Sequence, residues 1–421
     1  MRRRPAQRRT RLRVVVVDHT AELGGAEVAL LRLLRALGDQ AADTRPDVRV
    51  LLFRDGPLVD ELRAAGVLVQ VVPLAADVVG LDRAAAGRAS GANLVRAARV
   101  VPFVVGLARR FRRLRPDLVV TTSLKADLLG GVAARLAGRR LVWHLHDRIA
   151  DDYLPGPLVR LVRAAARLLP HLVIVNSQAT AATVPVGRSV DRVVVPPGIG
   201  RDWVLDAAAV AARPAPGPHP VVGLVGRISP TKGQLEFVRA AALVARDYPG
   251  AVFRIVGGAL FDGDDYAARV RAEQQALGLD VRWTGFVADP RAQLDGLDVL
   301  VHASPVPEPF GQVIVEAMVR GVPVVATRAG GAVEILQDAS AAGPGLGVLV
   351  TPGDPGSLAD GIASVLADPA TARARAAAAH TSAVRRFDAQ DTAARVSTAW
   401  HRVVPGQTCP IGAGLTAGWS S

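Results

Sequence analysis

Residues 308–318 read EPFGQVIVEAM and carry two glutamates, Glu308 and Glu316, with seven residues between them. Two carboxylates at short range can be the acid and base of a hydrolase, or can divide the work, one holding hydroxyls and the other facing a reacting centre. Upstream, residues 226–233 read GRISPTKG and put Arg227 and Lys232 on a loop with glycine at both ends. Such a loop, leading into a helix that starts near Gln234, holds a phosphate from two sides and adds the helix N-terminus to it. Neither a P-loop nor a GxGxxG pattern is present. Only two of the 51 basic residues are lysines, Lys125 and Lys232, so in an arginine-using chain this position calls for a compact ammonium.

Beside these cations the two glutamates acquire different expected roles. Glu316 is expected in the first turn of a helix beginning near Gln312, where an acid complements the helix dipole and a carboxylate can also accept hydrogen bonds from adjacent ribose hydroxyls. Glu308 lies in a Pro-Glu-Pro-Phe-Gly loop and is expected to point into a cleft rather than to pack. The amides of Gly311, Gln312 and Val313, following Phe310, complete an anion site at the helix start. The donor-binding set is therefore Arg227, Lys232, Glu308, Phe310, Gly311, Gln312, Val313 and Glu316, a constellation suited to a nucleotide diphosphate-sugar.

The first half offers weaker signals. Gly24 and Gly25 follow the first strand and open a helix, where backbone can approach a phosphate or sugar closely. In WHLHD, residues 143–147, strand alternation places His144 and His146 on one face. Three readings stand for His146: a sugar contact, a buried structural histidine, or half of a zinc pair lacking further ligands. Lys125 opens the helix after Thr121, Thr122 and Ser123, either to bind an acidic acceptor or as an exposed helix cap.

The elements that must position these residues alternate short β-branched runs with helical patterns, and do so twice. Strands are expected at 13–17, 48–53, 67–72, 118–122, 141–145, 172–175 and 193–195, then at 221–226, 252–256, 281–283, 299–302, 322–326 and 347–350. The fold class is α/β, two doubly wound Rossmann-like domains facing an interdomain cleft. A basic disordered tail (1–12) precedes a first Rossmann-like domain (13–196). A Pro/Ala-rich linker (197–220) leads to a donor-binding domain (221–385), followed by a helix (386–404) packing back on the first domain and a disordered tail (405–421).

Composition narrows the class further. At 421 residues the chain suits two cores rather than one. A single cysteine, Cys409, rules out an internal disulfide and fits a reducing compartment. Of the formal charge of +13, seven arginines fall in the first 13 residues; no basic stripe interleaved with aromatics follows, so no nucleic acid is expected. Nothing approaches a membrane span. Residues 96–115, RAARVVPFVVGLARRFRRLR, are compatible with lying on a bilayer surface or with packing on the sheet by their apolar face, and Pro102 is expected to interrupt them. The expected location is cytoplasmic, with peripheral contact to the inner face of the membrane as an option.

Together, EPFGQVIVEAM, GRISPTKG, GVPVVATRAGGAVEIL (321–336) and TPGDPGSLADGI (351–362) resemble the family-4 retaining glycosyltransferases of GT-B fold, the glycosyl transferases group 1. In the first half GGAE (24–27), RPDLVVTTSLKADLLGGVAARLAG (115–138), WHLHD and VNSQATA (175–181) look like that family's acceptor-side elements. The resemblance runs from about residue 12 to 404. It implies a UDP- or GDP-hexose donor and a glycan, lipid-linked or small-molecule acceptor, as in cell-envelope polysaccharide synthesis, with retention at the anomeric carbon. On that likeness Arg227 and Lys232 hold the diphosphate, Glu316 the ribose, and Glu308 and His146 lie near the reacting centre; Gly24, Gly25 and Lys125 serve the acceptor side. No cofactor and no metal are expected. A UDP-sugar epimerase and a non-catalytic binding protein are the alternatives. One departure is Pro196-Pro197-Gly198, where many members carry proline-asparagine-glycine.

Overall fold

The computed structural model describes residues 11–74, 91–259, 263–338 and 345–406. Most of the two predicted tails, and Cys409 with them, lie outside the described residues. The chain divides into two compact units, Met1–Gly198 with Ala389–Ser421, and Ile199–Asp388.

The first unit is built on a seven-stranded sheet: β1 (Arg13–Asp18), β2 (Asp47–Leu52), β3 (Leu68–Val71), β4 (Leu118–Thr121), β5 (Arg140–Leu145), β6 (Leu172–Val175) and β7 (Asp191–Val194). Its order is β3-β2-β1-β4-β5-β6-β7, with every pair parallel. The second unit carries a six-stranded parallel sheet of β8 (Val221–Val225), β9 (Val252–Val256), β10 (Val281–Trp283), β11 (Val299–His302), β12 (Val324–Thr327) and β13 (Val348–Val350), ordered β10-β9-β8-β11-β12-β13. Helices cover both faces of such sheets, so the central strands are apolar throughout rather than alternating; β4, β6, β11 and β12 are buried at every residue. In each sheet the winding reverses once, between β1 and β4 and between β8 and β11, and ligands of open α/β sheets bind beyond the carboxyl ends of strands at that point.

Two local readings change. The segment expected as a linker is folded onto the second unit through a short helix, Ala207–Ala211, and anchors on either side of it. Arg213 donates to the carbonyls of Asp295 and Leu297 at 3.0 and 2.8 Å, and His380 Nε2 lies 2.8 Å from the Leu205 carbonyl. Pro102 does not interrupt its helix, which runs from Gly91 to Leu114 and forgoes one backbone hydrogen bond. That helix buries Val104, Leu107, Ala108 and Phe111 in the core while Arg109, Arg112 and Arg113 face water, so its apolar face is occupied by protein. The last helix, Ala389–Val403, belongs to the first unit, where Ala393, Val396 and Trp400 join the core beneath helix Gly25–Gly38.

Glycines set how closely the loops of the second unit approach its sheet. Gly233 caps the helix Gln234–Asp247 in a left-handed conformation (φ +73°), and a Cβ there would lie 1.9 Å from the Ala303 carbonyl oxygen. Gly330 (φ +61°) faces the backbone of Glu308, its would-be Cβ 2.2 Å from that carbonyl oxygen. Strain and collision therefore coincide at both positions. Gly233→Ala should destabilise the protein by about 1–3 kcal/mol, seen as a lowered thermal midpoint, whereas Gly278→Ala (φ +62°), which has open space around it, should cost less.

Candidate active site

Beyond the carboxyl ends of β8 and β11, the loop 226–233 and the loop 303–311 bring Lys232 and Glu308 together. Lys232 Nζ lies 2.6 Å from Glu308 Oε1, with the lysine side chain 32 % exposed and the glutamate 7 %. Ser304 Oγ stands 2.7 Å from the same oxygen and 2.7 Å from the Thr231 carbonyl; its single proton serves one acceptor at a time. The second carboxylate oxygen, Oε2, is 3.1 Å from Nε2 of the buried His302, a close polar contact whose geometry falls short of a hydrogen bond. Burial alone would raise the Glu308 pKa, but Lys232 and His302 outweigh it and hold the carboxyl well below the usual range. Glu308 is thus an anion at any working pH.

The loop that presents Lys232 is held from beneath by Gln234, which is fully buried. Its side-chain amide donates to the Arg227 carbonyl at 2.9 Å and its Oε1 accepts from the Ser229 amide at 3.3 Å. Across the site, Gly331 donates to the Glu308 carbonyl at 3.0 Å, which ties the 308–311 loop to the helix Gly331–Leu336. These contacts explain GRISPTKGQ and TRAGG as two flanks of the 303–311 loop, with Gly233 close against Ala303 and Gly330 close against Glu308.

Three predicted site residues take different places. Glu308, expected to face a cleft rather than pack, is 6 % exposed, with Oε1 held by Lys232 and within reach of Ser304 and Oε2 lying against His302, because an ammonium lies within reach on the inner side of its loop. Phe310 is 5 % exposed and packs edge-on against Phe387 with ring centroids 5.6 Å apart, so only its backbone can face a ligand. Glu316 stands in the second turn of helix Gln312–Val319, not the first, since a turn of 3.6 residues ends before it; it is half-buried. Gly311 caps that helix at φ +106°, and Gln312 and Val313 are half-buried at its start, as is Arg227 on the opposite loop. His302 and Ser304 were not singled out from the sequence. Their signal was a histidine closing an apolar strand, followed two residues later by a serine.

A pocket of about 380 Å³ opens next to the Lys232 loop at the ends of β9 and β10, lined by Ile228, Gly257, Gly258, Gly285 and Trp283, whose ring carries the Arg271 guanidinium 4.2 Å from its centroid.

In the first unit, Gly24 caps and Gly25 begins the helix after β1, and Lys125 is the second residue of helix Leu124–Leu136 after β4. Between these strands Thr122 donates to Asp18 Oδ2 at 2.6 Å and the His19 amide donates to Ser123 Oγ at 3.2 Å. His144 and His146 stack at 4.7 Å, and burial lowers both pKa values, so both rings stay neutral. Neither ring nitrogen of His146 has a hydrogen-bond partner. Among the described residues no group of three metal-ligating side chains occurs. Glu27, 8 % exposed, has its pKa pushed up to about 8 by burial and by Asp18 and Asp147, against the pull of the amides at Glu27 and Gly24.

Two outcomes follow from these charges. Lys232→Met strands a buried carboxylate and should lower stability by about 1–3 kcal/mol, while Lys232→Met with Glu308→Gln should recover most of the lost thermal midpoint; a double variant no more stable than the single one would contradict the pairing. For Glu27, the folded state binds its proton more tightly than the unfolded chain, so stability is lost as pH rises from about 4.3 through about 8. Glu27→Gln should flatten that decline in midpoints measured between pH 5 and 8.5, and an unchanged slope would count against it.

The profile of Glycosyltransferase Family 4 matches residues 23–203 and that of Glycosyl transferases group 1 matches residues 208–381. The 2-deoxystreptamine N-acetyl-D-glucosaminyltransferase of Streptomyces fradiae is 31 % identical over 423 residues, covering 93 % of this chain and 94 % of that protein. The D-inositol 3-phosphate glycosyltransferase of Segniliparus rotundus is 34 % identical over 257 residues, 58 % of this chain and 55 % of that one. Among solved structures, Anabaena HepE (Alr3699) in complex with UDP and glucose superposes with a TM-score of 0.75 at 28 % identity, over 92 % of this chain and 99 % of that one. Two parallel α/β units, a paired lysine and glutamate at the second switch point, and these matches across both halves carry one conclusion: the chain belongs to the family-4 glycosyltransferases of GT-B fold.

Proposed function

We propose that the protein transfers a hexose from a UDP-sugar to a hydroxyl of a cyclitol acceptor, with retention of anomeric configuration. The observation that carries the donor half is the Lys232–Glu308 pair at the β8/β11 switch point. Lys232 is one-third exposed while its partner is buried, so the ammonium has room to meet a diphosphate without leaving the carboxylate uncovered by Ser304 and His302. Arg227 approaches from the other end of the same loop, the Gly311–Val313 amides add the start of a helix, and Glu316 takes the ribose. The pocket beside Trp283 and Gly285 receives the base. A UDP donor is supported by the HepE complex with UDP and glucose.

In transfer, negative charge builds on the departing diphosphate, and cations fixed beforehand stabilise that charge most where water is excluded. Glu308 serves here as the electrostatic anchor of Lys232 rather than as a covalent nucleophile, because its Oε1 is held by Lys232 and within reach of Ser304, its Oε2 lies against His302, and it is buried. Retention then proceeds by attack on the same face from which the diphosphate leaves, the phosphate oxygen taking the acceptor's proton. The neutral His146, with both nitrogens unpartnered, is assigned to a sugar hydroxyl. No metal or cofactor enters this scheme.

The acceptor reading draws on the two relatives, whose names share a cyclohexane polyol, and on Asp18 and Asp147 in the first unit, carboxylates suited to several hydroxyls. Incubation with UDP- and GDP-hexoses and a cyclitol, free or lipid-linked, followed by NMR, tests the scheme. An α-linked product from an α-configured UDP-hexose is expected, and Lys232→Ala should lower turnover about 10²–10³-fold. A β-linked product would overturn retention. A changed nucleotide sugar without acceptor would show an epimerase, and nucleotide binding without turnover a binding protein.

A further inference from the structure

The first unit carries a second feature at the opposite end of its sheet, near the amino ends of β5 and β6. Helix Gly156–Leu168 turns Val159, Val162 and Ala166 inward, yet a second apolar stripe, Pro157, Leu161, Ala164 and Leu168, faces water, with Leu161 55 % and Leu168 74 % exposed. Spacings of four, three and four residues keep that stripe on one side, and Arg160 and Arg167 flank it. No acidic residue occurs on this helix. The neighbouring helix Leu124–Leu136 ends beside it, with Gly131 in reach of Leu169, and exposes Leu136 (51 %).

Where the two helices end, Arg135, Arg139, Arg140 and His171 line a pocket of about 340 Å³. Its hydrogen bonding is incomplete in a way that calls for an anion. The Leu141 amide donates to His171 Nδ1 at 3.1 Å, so a neutral ring carries its proton on Nε2, and Arg135 Nη1 stands 2.7 Å from that nitrogen. A donor thus faces a donor. Arg139 Nε is buried without a partner. Burial, with Arg135 and Arg140 nearby, lowers the His171 pKa, which keeps the ring neutral and the frustration in place.

We propose that this face docks on an anionic lipid surface, with the leucine stripe entering the headgroup layer and the arginine pocket taking a lipid phosphate. A protein partner suits it less well, since protein-binding patches favour aromatic anchors, whereas this stripe is aliphatic and lies on a helix with arginines and no acid, the make-up of an interfacial helix on an anionic surface. No helix among the described residues is long and apolar enough to cross a membrane, so the contact is peripheral. It is also distinct from helix Gly91–Leu114, whose apolar face is already buried.

The test is co-sedimentation of the full chain with vesicles of phosphatidylcholine alone or with one quarter phosphatidylglycerol. Binding to the anionic vesicles, weakened by salt, is expected, as is an at least tenfold loss of partitioning in Leu161→Glu with Leu168→Glu at an unchanged thermal midpoint and unchanged UDP affinity. Arg139→Ala with Arg140→Ala should remove the preference for phosphatidylglycerol. Unchanged binding of the double glutamate variant would overturn the proposal by placing the contact elsewhere, including the arginines of residues 1–10. A wild-type chain that ignores anionic vesicles would overturn it too and return this face to a protein partner.

Discussion

A lysine ammonium 2.6 Å from a buried carboxylate is the interaction around which the second unit is arranged. Burying a carboxylate is costly unless it is paired and hydrogen-bonded, and Glu308 has Lys232, Ser304 and His302 within contact distance. Those three partners come from the ends of the two strands that flank the switch point, so the sheet order itself delivers them. The close backbone approaches at Gly233 and Gly330 set the distance across which the pair forms. Gln234 fixes the loop's curvature from below. A protein built this way keeps a cation in place before any ligand arrives, so little reorganisation remains when charge develops on a leaving group.

The first unit shows the opposite electrostatic choice at its own switch point. Asp18, Asp127 and Glu27 are all buried there. Asp18 is held below its ordinary pKa, burial being outweighed by His19, Thr122 and the Thr20 amide, while burial keeps Asp127 and Glu27 protonated well above theirs. Ionised and neutral carboxyls side by side provide both acceptors and donors for hydroxyl groups, and the neutral stacked imidazoles of His144 and His146 add nitrogen positions of either kind. One unit therefore fixes a cation at its switch point, and the other gathers neutral and acidic groups.

Much of this was legible from residue types. Continuous Val- and Leu-rich runs fixed the strands within a residue or two, because strands buried on both faces leave no other pattern, and the scarcity of lysine singled out Lys232 before its partner was known. The rest depended on tertiary contacts that no local signal carries. Prolines on either side of Glu308 restrict its backbone but not the side on which an ammonium will lie. Phe310 meets Phe387, 77 positions away, and so joins the core. The Pro/Ala-rich stretch after Gly198 reads as a linker by composition, yet Arg213 and Val210 dock it through carbonyls and a glycine, Gly321, far along the chain. His302 looked like one more strand residue until the sheet brought its ring to the carboxylate.

The central claim is that the Lys232–Glu308 pair is the seat of the donor diphosphate, and a crystal structure with a bound UDP-sugar addresses it directly. The account predicts Lys232 Nζ within about 2.7–2.9 Å of a diphosphate oxygen, with Glu308 still held by Ser304 and His302. A diphosphate bound elsewhere, with the Lys232–Glu308 contact intact and out of its reach, would contradict it.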